Sequence, residues 1–195
     1  MPKQKTKKGK LLVVSGPSGV GKGTICAEVA KRLDNVYISI SVTTRPMGPA
    51  EVNGRDYQFI TTGQFQKLIE SNKLLEYAEV FGNMYGTPAD KVIEALEAGK
   101  TVILEIDVQG GLKIKQKYPQ AVLIFILPPD KQELARRIGG RGRDEAQEAE
   151  KRLNFAEREV EKAKRFYEYT VVNDDLEKAV EQVIKIIEQD TGGKE

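Results

Sequence analysis

At 195 residues, 39% hydrophobic and 31% charged, the chain has the composition of one soluble domain with a sizeable core. It has no histidine and a single cysteine. That excludes an internal disulfide, a cysteine cluster for zinc, histidine metal sites, and Ser-His-Asp or Cys-His catalysis. The net charge of +2 is uneven: five of the first ten residues are lysines, and the rest of the chain carries 26 basic against 29 acidic side chains. A solvated basic tail at 1–9 is therefore expected, not a nucleic-acid surface on the folded body. No run approaches the roughly 20 apolar residues of a membrane span, and the apolar stretch 11–14 is too short for a signal-peptide core. A cytoplasmic protein without membrane contact is expected.

In chain order, residues 10–15 (KLLVVS) form a buried strand running into a glycine-rich loop, and 24–33 a helix with Cys26 on its buried side. A second strand is expected at 36–40. The stretch 41–87 is rich in Thr, Gly, Tyr and charge, with one clear helix at 65–71. A helix follows at 88–98, then the apolar strands 101–106 (TVILEI) and 121–127 (AVLIFIL), separated by a helix at 111–118. Such continuous apolar runs suit central parallel strands covered on both faces. Helices are expected at 130–138 and 145–167, a short strand at 170–172, and a last helix capped by Asp174 or Asp175. The alternation predicts an α/β fold, a parallel sheet flanked by helices. It is interrupted at 41–87 and at the charged turn 139–148 (GGRGRDEAQE), both long enough to be functional insertions.

The loop Gly16-Pro17-Ser18-Gly19-Val20-Gly21-Lys22-Gly23-Thr24 matches G-x-x-x-x-G-K between a strand and a helix. Its glycines let successive backbone N–H groups point at phosphate oxygens, the helix adds its N-terminal dipole, and Lys22 brings charge to the outer phosphates. The residue after the lysine usually gives a hydroxyl to Mg²⁺. Here it is Gly23, so Thr24 takes that role by default, with a plain helix-cap bond as its alternative. Glu105 and Asp107 stand at the C-terminal end of a strand, where a bound metal and its waters need acids. Asp107 has a second reading as a helix cap. Arg136, Arg137, Arg141, Arg143 and Arg152 crowd the charged turn. A mobile arginine element beside a triphosphate loop suggests phosphoryl transfer, in which charge spreads over the transferred group's oxygens.

From Lys10 to Ile187 the sequence resembles guanylate kinases. Beyond the loop, the resemblance rests on SVTTR at 41–45, AEVNGRDY at 50–57, EYAEVFGNMYGT at 76–87, LEIDVQG at 104–110, RRIGGRGRD at 136–144, KRL at 151–153 and VVNDDL at 171–176. It implies ATP-dependent phosphorylation of GMP, and of dGMP, with Mg²⁺. It also implies a P-loop core (10–40, 88–128 and 155–190), an inserted GMP-binding subdomain (41–87) and a short lid (129–154). By the matching motifs, Ser41, Glu76 and Thr87 read the guanine. Arg45, Tyr57 and Tyr85 hold the GMP phosphate, and Asp107 lies near GMP and the metal, which it reaches partly through water. Lys22, Arg137, Arg141 and Arg152 surround the transferred phosphate, and Asn173 lies near the ATP adenine. The family's second phosphate-binding arginine is replaced by Gly48, and Arg55 is expected to compensate in part. Two alternatives stay open: an inactive guanylate-kinase-like protein-binding module, and a kinase for another nucleoside monophosphate.

Overall fold

The structure is a computed structural model that describes residues 9–139 and 146–189. Its centre is a five-stranded, all-parallel sheet in the order β2-β7-β1-β8-β9, with β1 Lys10–Ser15, β2 Val36–Ser39, β7 Thr101–Glu105, β8 Val122–Leu127 and β9 Tyr169–Val172. The middle strands bury side chains on both faces, as their unbroken apolar runs require. On one face Leu12, Val14, Ile103 and Ile124 pack with α1 (Lys22–Arg32) and α7 (Leu176–Gln189). On the other, Leu11, Val13, Val102 and Leu104 pack with α3 (Ala89–Glu97) and α4 (Val108–Lys117). α5 (Lys131–Gly139) and the 21-residue α6 (Ala146–Phe166) complete the helices on the C-terminal side. Cys26 is buried, which pushes its thiol pKa up.

The stretch 41–87 holds more structure than its sequence pattern suggests. Besides α2 (Thr62–Glu70) it forms a second sheet, β4-β3-β6-β5, from β3 Val42–Thr43, β4 Gln58–Phe59, β5 Leu74–Val80 and β6 Asn83–Pro88. Two of these strands have only two residues, too few for a period to register. The β5–β6 hairpin hides its signal behind Glu76, Glu79 and the glycines. Its turn is Phe81-Gly82, both at positive φ (49° and 74°), between the paired Val80 and Asn83. A two-residue hairpin loop needs that left-handed pair. α4 starts at Val108, three residues before the expected 111, because Asp107 caps it and the Gly110-Gly111 pair continues the helix instead of preceding it.

Candidate active site

The glycine loop leaves β1 at Ser15 and enters α1 at Lys22. Gly21 sits at φ 98°, a left-handed conformation that glycine adopts without strain, and a Cβ there would lie 2.5 Å from Asn173 Nδ2. Asn173 lies just past β9 and donates from that nitrogen to Val20 O at 2.7 Å. The last strand thus braces the loop. Lys22 Nζ donates to Gly16 O at 2.6 Å and Pro17 O at 3.1 Å, curling its charge over the loop it belongs to. Thr24 is exposed on the first turn of α1.

The register of β1 with β7 pairs Val14 with Glu105 and so brings the strand-end acid to the loop. The Glu105 carboxylate lies against Gly23: a Cβ on that glycine would stand 3.3 Å from Oε2 and 3.7 Å from Oε1. Burial raises the Glu105 pKa, and the nearby Lys22 charge opposes the shift. Asp107 takes its helix-cap reading: Oδ1 accepts from Gln109 N at 2.6 Å and Gly110 N at 3.1 Å. Among the described residues, no three acid or thiol side chains converge on a cation position. A hard cation here would draw most of its ligands from water and phosphate, as Mg²⁺ does at nucleotides.

Facing this end of the sheet, the second sheet buries Glu76 on β5 beside Thr87 on β6, whose Oγ1 donates to Glu76 Oε1 at 2.7 Å. The other oxygen, Oε2, comes so close to Gly110 that a Cβ there would lie at 2.7 Å. A side chain at that point of α4 would have to displace the buried Glu76 carboxylate. Burial pushes the Glu76 carboxyl up to about 7, against the pull of the Thr87 bond, while the Asp107 charge adds to the rise. Ser41, just before β3, is also buried. This group is a recessed acceptor-and-hydroxyl set with an unusual proton affinity.

Next to it, Arg45 packs its guanidinium 5.5 Å from the ring centroids of both Tyr57 and Phe59. Tyr57 and Tyr85 meet edge to face at 5.9 Å. Arg45 forks onto Glu51 at 2.7 and 2.9 Å, and the same carboxylate accepts from Gly48 N at 2.5 Å. The backbone N–H of Gly48 therefore points into this cluster, where an arginine was expected. Arg55 is exposed and bonds Asp56 Oδ2 through Nε and Nη2 at 3.1 and 2.9 Å.

A glycine loop with its lysine thus stands opposite a buried acid pocket, with an arginine–tyrosine cluster beside that pocket. The guanylate kinase family model matches residues 8–190. The chain belongs to the guanylate kinase family. It is 48% identical over 181 residues to the guanylate kinase of Lactococcus lactis subsp. lactis, covering 93% of this chain and 88% of that one. The guanylate kinase of Halalkalibacterium halodurans is 46% identical over 180 residues, with coverage of 92% and 88%. A crystal structure of guanylate kinase from Anaplasma phagocytophilum superposes with a TM-score of 0.82 at 32% identity, covering 97% of this chain and 89% of the other. Membership at this identity and coverage carries the family reaction, ATP-dependent phosphorylation of GMP to GDP. No helix among the described residues is long and apolar enough to cross a membrane.

Of the arginines that this guanylate kinase family member was expected to place on the transferred phosphate, Arg141 lies outside the described residues, as do the side chains of Arg137 and Arg152. Arg136 is exposed and pairs with Glu133 at 2.7 Å. One acid at the site went unnoticed in the sequence. Glu159 of α6 is buried and lies in the field of Lys22 and Asp107. Burial pushes its carboxyl up to about 7. Spacing alone gave no sign of it, because it follows a run of charged helix residues that read as a solvated face. The structure also sets the ring of Phe81 of the β5–β6 turn tilted against that of Phe155 of α6, centroids 5.0 Å apart, a contact between the inserted sheet and that helix.

Proposed function

We propose that the loop 16–24 holds ATP and the inserted sheet holds GMP, with in-line transfer of the γ-phosphoryl between them. The reading is carried by Glu76, a buried carboxylate bonded to Thr87. Guanine presents N1–H and N2–H₂ as paired donors, which one carboxylate accepts, and the Ser41 hydroxyl donates to O6. Adenine lacks the donor pair and would leave the buried acid unpaired, at a cost of about 1–3 kcal/mol or more. dGMP presents the same base edge and serves as a second acceptor.

Arg45, Tyr57 and Tyr85 hold the GMP phosphate. Arg is suited to this by its planar fork of donors. Lys22, Arg137, Arg141 and Arg152 neutralise charge on the transferred group, and Asn173 keeps the loop in shape beside the adenine. Mg²⁺ would be held by Thr24, Glu105 and Asp107, partly through water, and supplies charge neutralisation on the phosphate oxygens. Residues 41–87 form the GMP-binding subdomain, 129–154 the lid, and the remainder from 10 to 190 the core.

A coupled assay of ADP formation with GMP, dGMP, AMP, CMP and UMP tests this reading. GMP and dGMP should be turned over at least about a hundredfold better than the others, the discrimination expected of a buried, charged hydrogen-bonding site. AMP used as well as GMP would sink the role given to Glu76. No turnover with any acceptor would point to a protein-binding module.

A further inference from the structure

Two glycines follow one another near the start of α4, although glycine is the weakest helix former after proline. Each leaves room for a polar tip from another element. A Cβ on Gly110 would lie 2.7 Å from Glu76 Oε2, and one on Gly111 would lie 2.2 Å from the hydroxyl oxygen of Tyr167. Tyr167 directly follows α6, its ring meets Phe125 of β8 edge to face at 5.6 Å, and its hydroxyl donates to Ser15 Oγ at 2.7 Å. Ser15 is fully buried and is the last residue of β1. The next residue, Gly16, offers the carbonyl that accepts from Lys22 Nζ. An apolar pair of the same shape, phenylalanine against alanine, would be close to neutral for stability. The directional bond does what an apolar contact cannot: it fixes the place of the Ser15 side chain, and with it the end of the strand that feeds the loop.

This bond is one of two that reach the phosphate loop from the ends of β9. Tyr167 lies just before that strand and Asn173 just after it. Asn173 donates to Val20 O at 2.7 Å through its side chain and to Leu127 O at 2.8 Å through its backbone. The loop is therefore gripped where it leaves β1 and again before it enters α1. Tyr167 also closes α6, its N–H donating to Ala163 O at 2.9 Å, and the N-terminal half of the same helix carries Arg152. We propose that Tyr167 is a positioning residue for phosphoryl transfer: through Ser15 its hydroxyl fixes the entry of the phosphate loop and ties that loop to the foot of the arginine-bearing helix. Lys22 and the arginines must converge on one phosphoryl group, and an error of about 1 Å in such placement costs on the order of a hundredfold. The inference rests on the reading of the loop 16–24 as the ATP site.

The test compares Tyr167→Phe, Ser15→Ala and the double variant in the full-length protein. Phenylalanine keeps the ring against Phe125 and removes only the hydroxyl. Tyr167→Phe should lose about tenfold in kcat at saturating ATP and GMP, with KM for GMP within about twofold, the pattern of an interaction needed in the transition state and not for acceptor binding. Ser15→Ala should lose about as much, and the double variant no more than either single one, because the same bond is removed in all three. A purely structural hydroxyl would lower the melting temperature and leave the kcat of the folded enzyme alone, so full kcat in Tyr167→Phe overturns the proposal. So do losses that multiply in the double variant, which would make the two hydroxyls independent. Lys22→Ala is measured alongside. Unchanged kcat and KM for ATP in that variant would overturn the reading of the loop, whereas a crippled Lys22→Ala beside a fully active Tyr167→Phe would overturn the brace alone.

Discussion

Glu76 makes the sharpest prediction because its burial and its work oppose each other. Buried beside Thr87 and Gly110, its carboxyl is pushed up to about 7 in the ligand-free protein. Only the ionised form accepts both guanine donors. By the titration relation, about half the molecules are competent at pH 7, about one in eleven at pH 6 and about ten in eleven at pH 8. The kcat/KM for GMP, which reports the free enzyme, should therefore rise about tenfold from pH 6 to pH 8 with a midpoint near 7. The GMP phosphate has its own ionisation near 6, so the decisive comparison is with Glu76→Gln. That variant cannot ionise, should lose about 30- to 100-fold in kcat/KM at pH 8, as expected for a charged hydrogen bond, and should lack the inflection near 7. An inflection of the same size and midpoint in Glu76→Gln would refute the assignment of the titration to this residue. A flat wild-type profile would refute the premise that the ionised form is required.

The same protons act on stability with the opposite sense. Glu76 and Glu159 both hold their protons more tightly folded than unfolded. The folded state therefore binds more protons between about pH 4.5 and 7, and stability falls as pH rises through that window. Thermal melts without nucleotide should show a loss from pH 5 to pH 8 that shrinks in the Glu76→Gln, Glu159→Gln double variant; equal slopes would contradict it. Gly110→Ala places a Cβ 2.7 Å from Glu76 Oε2 and should raise KM for GMP about tenfold through overpacking, with KM for ATP within about twofold, by the same coupled assay. Gly23→Ser adds the usual hydroxyl but sets its Cβ 3.3 Å from the Glu105 carboxylate. Alone it should weaken magnesium-dependent ATP binding in calorimetry about threefold or more. Combined with the shorter Glu105→Asp it should recover, and an additive double variant would show that the two positions are independent.

The phosphate loop was legible because its requirements are local: glycines, a lysine and a strand-to-helix junction within nine residues. The parallel sheet was legible for a related reason, since 10–15, 101–106 and 121–127 must be apolar on both faces. The inserted sheet was not, because β3 and β4 are two residues long and β5 spends an inward position on Glu76, an acid that interrupts the very pattern by which strands are recognised. Glu159 was hidden for the converse reason. It sits among Glu157, Arg158, Glu161 and Lys162, and helix spacing cannot tell one buried acid from its exposed neighbours. Asp107 shows the intermediate case: both of its readings, cap and site acid, follow from a position at the end of β7, and the cap bonds from the α4 amides both fall on Oδ1, so the two roles are compatible in one carboxylate. Gly23 and Gly48 are departures of a third kind. In each, the side chain expected by analogy is missing, and a neighbouring group stands at the gap: the Glu105 carboxylate beside Gly23, and the backbone N–H of Gly48 itself, turned toward Glu51 and Arg45. A glycine at a binding position is thus informative only together with what its missing Cβ lets approach, and that is a property of the fold, not of the motif.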